Sequence, residues 1–131
     1  MKKILLAFAF VSIFSTTFAQ KTALELLNDK IYYTIDGEIP KYSDFGSYHI
    51  LRKVAILDVN NKDNILIVDG EFSFTYGKRS DRYGDFDIRT FKFQANVKQI
   101  LDDFSVIKII YQKPNEKQWY RLFPANKFEN N

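Results

Sequence analysis

Phe91-Lys92-Phe93-Gln94-Ala95-Asn96-Val97-Lys98 alternates apolar and polar residues without a break. Successive side chains of a strand point to opposite faces, so this stretch builds a dry face from Phe91, Phe93, Ala95 and Val97 and a wet one from Lys92, Gln94, Asn96 and Lys98. A strand wet on one side belongs to an antiparallel sheet that is covered on the other. The fold therefore turns on how far such strands extend and on what covers the dry face.

Upstream, Phe72, Phe74 and Tyr76 alternate with Glu71, Ser73 and Thr75, whereas Ile65-Leu66-Ile67-Val68 is apolar on both faces. The pattern changes at Asp69-Gly70, where a glycine bulge is expected. Residues 49–59 read as the first long strand. Asn60-Asn61-Lys62-Asp63-Asn64 reads as a polar loop, because short amide and carboxyl side chains bond their own backbone. Downstream, Leu101-Asp102-Asp103 forms a turn, and 104–112 is a strand apolar on both faces except at Lys108. Pro114-Asn115-Glu116 then turns into a last strand at 119–123, which Pro124 ends. Consecutive strands on short links predict an antiparallel meander, and long strands with a bulge twist and curl.

The cover comes from the N-terminal side. Thr22 and Glu25 form a capping box, and Leu24, Leu27 and Ile31 follow at helical spacing, predicting a helix over 23–30. Residues 31–35 have strand preferences, Asp36-Gly37 suits a tight turn, and 40–47 is a Pro, Ser, Asp and Gly loop. The fold class is α+β: one N-terminal helix packed on a curved antiparallel β-sheet of five or six strands. An eight-stranded, ligand-enclosing barrel needs more strands than these. An outer-membrane barrel needs an apolar-out, polar-in alternation that 65–68 and 104–111 lack.

Residues 1–19 read as a secretory signal peptide: Lys2 and Lys3, an apolar run over 4–14, then Ser15, Thr16, Thr17, Phe18 and Ala19, with cleavage expected after Ala19. The run is too short to span a bilayer, so no stable membrane insertion is expected after cleavage. Of the 131 residues, 112 then remain as a single mature domain, 20–131, and losing Lys2 and Lys3 leaves 17 basic against 16 acidic side chains. A near-neutral product has no electrostatic footprint for nucleic acid. The destination is the periplasm or the extracellular space. With no cysteine, a packed core must replace disulfides, and nine phenylalanines in the mature chain make one feasible.

The catalytic inventory is sparse. His49 is the sole histidine, and there is no cysteine, so the usual zinc sites cannot be assembled. Gly46-Ser47-Tyr48-His49 sets a serine near an imidazole without a nucleophile turn or an oxyanion hole. Asp58, Asn60, Asp63 and Asn64 resemble a calcium loop in composition. Lys62 occupies a ligand position and the glycine and terminal glutamate are missing, so a hairpin is the expectation. Asp81, Asp85 and Asp87 are interleaved with Lys78, Arg79, Arg82 and Arg89, which predicts mutual neutralisation. No metal and no cofactor is expected.

The richest binding candidate is the charged loop 77–85 with its flanks. Lys78, Arg79 and Arg82 can grip anions, and Tyr76 and Tyr83 offer flat aromatic faces with polar tips. Trp119 is a further aromatic suited to ligand or partner contact. Tyr33-Thr34-Ile35-Asp36-Gly37 resembles, over five residues, a strand-turn found in plug-like segments of Bacteroidota envelope proteins, and the leader resembles those of the same bacteria. A helix on a curved sheet is similar in architecture to cystatin-like and nuclear-transport-factor-like folds, and architecture alone does not name a function.

Two functional readings follow. The first is an exported, non-enzymatic binding or interaction module of the bacterial envelope, holding a protein or glycan partner. The second is a carboxylate-based hydrolase or isomerase with a pocket in the concave face of the sheet. Open sheet edges also give a route to a homodimer.

Overall fold

The computed structural model describes residues 17–45, 48–77 and 87–125. Five strands form one open sheet: β1 (Tyr48–Lys62), β2 (Ile65–Gly77), β3 (Asp87–Ile100), β4 (Asp103–Gln112) and β5 (Tyr120–Phe123). Each pairs antiparallel with its sequence neighbours, in the order β1-β2-β3-β4-β5. The architecture is the expected α+β one, a helix on an antiparallel sheet.

The dry face is continuous across the two central strands. Phe91, Phe93, Ala95 and Val97 lie opposite Phe72, Gly70, Val68 and Leu66, and all of these are buried. On the other face, Ser73 and Thr90 share a hydrogen bond of 2.9 Å, and Gln94 donates to Asp69 at 3.0 Å. The two-faced pattern read from 91–98 thus sets the register of the sheet, since a slip of one residue would turn every phenylalanine to water.

Gly70 is not itself an extra residue of a bulge. It is paired with both Ile56 and Phe93, and the ladders skip Arg52 and Leu57 on β1, the latter just beyond the Ile56↔Gly70 pair, Ile107 on β4 and Leu122 on β5. The glycine is needed for close approach instead: a Cβ there would run into the Ala55 carbonyl oxygen and the Phe93 ring, the latter at 2.7 Å. The expected loop over 60–64 is only a two-residue turn. Asn60, Asn61 and Lys62 stay in the ladder, while Asp63 (φ 53°) and Asn64 (φ 66°) take the left-handed conformations of a tight hairpin.

The largest departure is in the helix. α1 runs over Thr17–Glu38, so Thr22 lies inside the helix and the expected strand at 31–35 and turn at Asp36-Gly37 are helical. Ala23, Leu27, Ile31 and Ile35, spaced by four, make a buried stripe on α1, and Ile39 is buried just beyond it. Burying each large aliphatic side chain contributes roughly 1.5–3 kcal/mol, which outweighs a β preference spanning about 1 kcal/mol. The Thr34 hydroxyl donates to the Lys30 carbonyl at 2.7 Å, a bond available only on a helix. Pro40 ends α1, because it has no N–H to give to the carbonyl four residues back, and the chain tightens into a 3-10 turn there.

Two 3-10 turns follow, Ile39–Lys41 and Ser43–Phe45, in place of the featureless loop expected there. Glu38, buried at the helix end, pairs with Lys41 at 2.8 Å. Phe45 is fully buried and its ring lies within 6.0 Å of those of Phe72, Phe74, Phe91 and Tyr111. It closes the core at the end where β2 and β3 run on beyond β4.

The two glycines predict opposite responses to alanine. Gly37 sits in α1 with nothing within 4 Å of an added Cβ, so Gly37→Ala is expected to stabilise by about 0.5–1 kcal/mol. Gly70→Ala is expected to destabilise by about 1–3 kcal/mol through overpacking. Urea unfolding of the two variants checks this, and shifts of the same sign would contradict the assignment.

Candidate functional site

An open groove of about 620 Å³ lies at the end of the sheet closed by Phe45. It forms because β3 outruns β4: pairing between them stops at Lys92↔Gln112, and Pro114, which has no N–H to give, belongs to the turn that takes the chain away from the sheet. Asn115 adopts φ 64° in that turn, and the Glu116 amide donates to the Lys113 carbonyl at 3.2 Å. The groove is lined from β3 by Ile88, Arg89, Thr90 and Phe91, from β2 by Tyr76, and from the chain beyond β4 by Lys113, Pro114 and Glu116. Asp44 adds a carboxylate from the second 3-10 turn.

Two polar assemblies occupy this groove. In the first, the Arg89 guanidinium lies 3.4 Å from the centre of the Tyr76 ring, a cation-π contact, and its Nε meets Asp87 at 3.4 Å. The second is a chain of charge-assisted bonds. Tyr111 donates to Asp44 at 2.7 Å, Lys113 bridges Asp44 at 3.3 Å and Glu116 at 3.6 Å, and Tyr120 donates to Glu116 at 2.6 Å. The Lys113 ammonium also sits 4.9 Å from the centre of the Tyr120 ring.

The titration of these groups follows from their surroundings. Burial, then the hydrogen bond to Asp44, pushes the Tyr111 hydroxyl far above the ordinary phenol range. Burial works against the Lys113 ammonium, but the bond and charge of Asp44 and the charge of Glu116 outweigh it, and its affinity for the proton rises. Tyr120 is raised chiefly by its bond to Glu116. Across neutral pH the assembly holds Tyr111 and Tyr120 protonated and Lys113 charged.

Of the residues singled out in the sequence, Tyr76 lines the groove. Trp119 is exposed in the connection to β5 and does not line it. Lys78, Arg79, Arg82 and Tyr83 lie outside the described residues, as do Ser47, Asp81 and Asp85. His49 lies opposite Tyr76 in the β1–β2 ladder. Asp58 and Asn60 are ladder residues opposite Asp69 and Ile67, so that segment is a hairpin stem. Among the described residues, no group of three or more His, Cys, Asp or Glu side chains converges on a point suited to a metal.

Asp44, Arg89, Lys113 and Glu116 were not among the candidates. Lys113 and Glu116 are three apart in a Pro-Asn turn, a spacing that brings opposite charges together. Asp44 carries no local signal, since only Phe45 beside it, inserted into the core, delivers it to Tyr111. A comparison of the chain with protein-family models finds no match, and neither does a search among curated proteins.

The Tyr111 shift has a consequence at high pH. The unfolded chain releases this phenol proton near pH 10, below the pH at which the folded protein does. Its contribution to stability is therefore complete below pH 10 and declines as pH rises above it. The melting temperature is expected to fall from about pH 10 upward, and Tyr111→Phe is expected to flatten that fall. Parallel alkaline slopes for the two proteins would show that Tyr111 does not drive it.

Proposed function

We propose that the protein is an exported, non-enzymatic binding module of the bacterial envelope, which holds a protein or glycan partner in the groove between β3 and the connection beyond β4. The observation that carries this reading is how the groove carboxylates are engaged. Asp44 accepts from Tyr111 and Lys113, and Glu116 accepts from Tyr120 and faces the same lysine. Carboxylates committed in this way hold the walls of a groove, whereas a general acid or base needs to exchange its proton with a substrate. The flat faces and cations that favour recognition are present beside them, in Tyr76 and Arg89. Export rests on the charged, apolar, small-residue order of 1–19. Among the described residues no helix is long and apolar enough to cross a membrane.

Tyr76 and Arg89 become the centre of the proposed site, with Lys78, Arg79, Arg82 and Tyr83 kept as candidate contributors. A homodimer is the competing use of the sheet edges, and light scattering at high concentration reads it directly.

The test uses the full chain, expressed for export and recovered in processed form. Intact mass is expected to correspond to a start at Gln20. A thermal-shift screen against neutral sugars, sulfated glycans, small carboxylic acids and unstructured peptides is expected to give at least one upward shift that Arg89→Ala and Tyr76→Ala abolish. A ligand at a hundredfold excess over its Kd stabilises by about 2.7 kcal/mol, which is readily seen. Chemical turnover of any of these compounds, lost in Asp44→Asn and Glu116→Gln, would instead establish the hydrolase or isomerase reading.

A further inference from the structure

Residues 87–91 of β3 pair with β2 on one side, from Phe72↔Phe91 to Tyr76↔Asp87. On the other side no strand among the described residues pairs with them, since the β4 ladder begins at Lys92. Every second residue of that segment thus presents a backbone N–H and C=O to the groove, at the spacing of a strand. From these observations, and resting on the binding-module reading above, we infer that the 87–91 edge receives an extended peptide segment of a partner protein, which adds to the sheet beside β3 as a guest strand.

Three features of the molecule favour this edge and this occupant. First, the other edges are blunted. β1 carries unpaired extra residues at Arg52 and Leu57, β5 is four residues long, and the stretch of β4 that β5 leaves unpaired, 103–108, carries an extra residue at Ile107, all of which discourage edge pairing. The β2–β3 ladder runs in step throughout residues 87–91, so the edge there is regular. Second, Lys113, Pro114 and Glu116 line the same groove on the β4 side. The inferred peptide would lie between them and β3. The edge of a second copy's sheet would bring its next strand about 4.8 Å further out, into that connection.

Third, the outer face has an apolar row that stops at this edge. Ile50, Thr75 and Ile88 lie side by side across β1, β2 and β3, and the two isoleucines are 65% and 62% exposed. A guest residue opposite Ile88 would continue the row, and β-branched or aromatic side chains suit that position. The guest's alternate residues would face Arg89 and Lys113 on the helix side of the sheet, where polar side chains suit. The expected segment is about five residues, spans roughly 17 Å and alternates apolar with polar residues.

The experiment starts from a library of displayed random linear peptides, selected against the exported protein. The best binder is then synthesised in versions N-methylated at one position each. Adding a strand predicts that methylation at alternate positions weakens binding by about tenfold or more, and that the positions between tolerate it. It also predicts slowed hydrogen exchange at alternate amides of residues 87–91, and weaker binding to Ile88→Lys, a change at an exposed site that leaves the fold intact. The inference is overturned if no peptide is enriched over a control protein, if methylation shows no alternation, or if the protected amides lie elsewhere. A sugar that shifts the melting temperature through Arg89 while no peptide binds would overturn this inference and leave the binding-module reading standing.

Discussion

A sheet with one dry face must be covered along its whole length, and here the last part of that cover is a single ring. α1 shields the dry face with its stripe of aliphatic residues, and the chain then turns through Pro40 and inserts Phe45 against Phe72, Phe74, Phe91 and Tyr111. Removing such a ring costs about 3–5 kcal/mol in a packed core. Its position has a second effect, because Asp44 is carried with it to the Tyr111 hydroxyl and the Lys113 ammonium. The hydrophobic closure of the core and the polar wall of the groove are thus one event.

The groove arises from unequal strand lengths and not from a cavity within the core. β3 extends past β4, and a proline turn diverts the chain before it can follow. The charges set around the gap are nearly all compensated within it: Arg89 by Asp87, Lys113 by Asp44 and Glu116. Compensation lets cations and carboxylates stand at a partly sheltered site without leaving an unpaired charge. It leaves shape, aromatic faces and backbone groups as the means of recognition.

The sheet was legible in the sequence where one residue pattern answers to one physical demand. Alternation over 91–98 and 71–76 marks strands that are wet on one side, and the turn residues between them mark the meander. Ile31 to Ile35 misled because β-branched and aromatic residues prefer strands locally, while their fate was decided by a stripe that begins at Ala23 and is matched by Ile39. Gly70 was legible as special, but a bulge and a close backbone approach leave the same mark in one sequence. The site was mostly illegible. Tyr76 could be picked out as an aromatic flanking a charged loop, whereas Asp44, Arg89, Lys113 and Glu116 meet only after distant parts of the chain have folded together.

Phe45 closes one end of the core and thereby builds the groove wall. Residue-resolved hydrogen exchange on Phe45→Leu tests it most directly, since the substitution keeps an apolar side chain while removing the ring. Faster exchange is expected at the amides of residues 72–76 and 89–93, with the opposite end of the sheet, residues 96–106, unchanged. Unaltered protection around Phe72, Phe74 and Phe91, or an equal loss over the whole sheet, would contradict it.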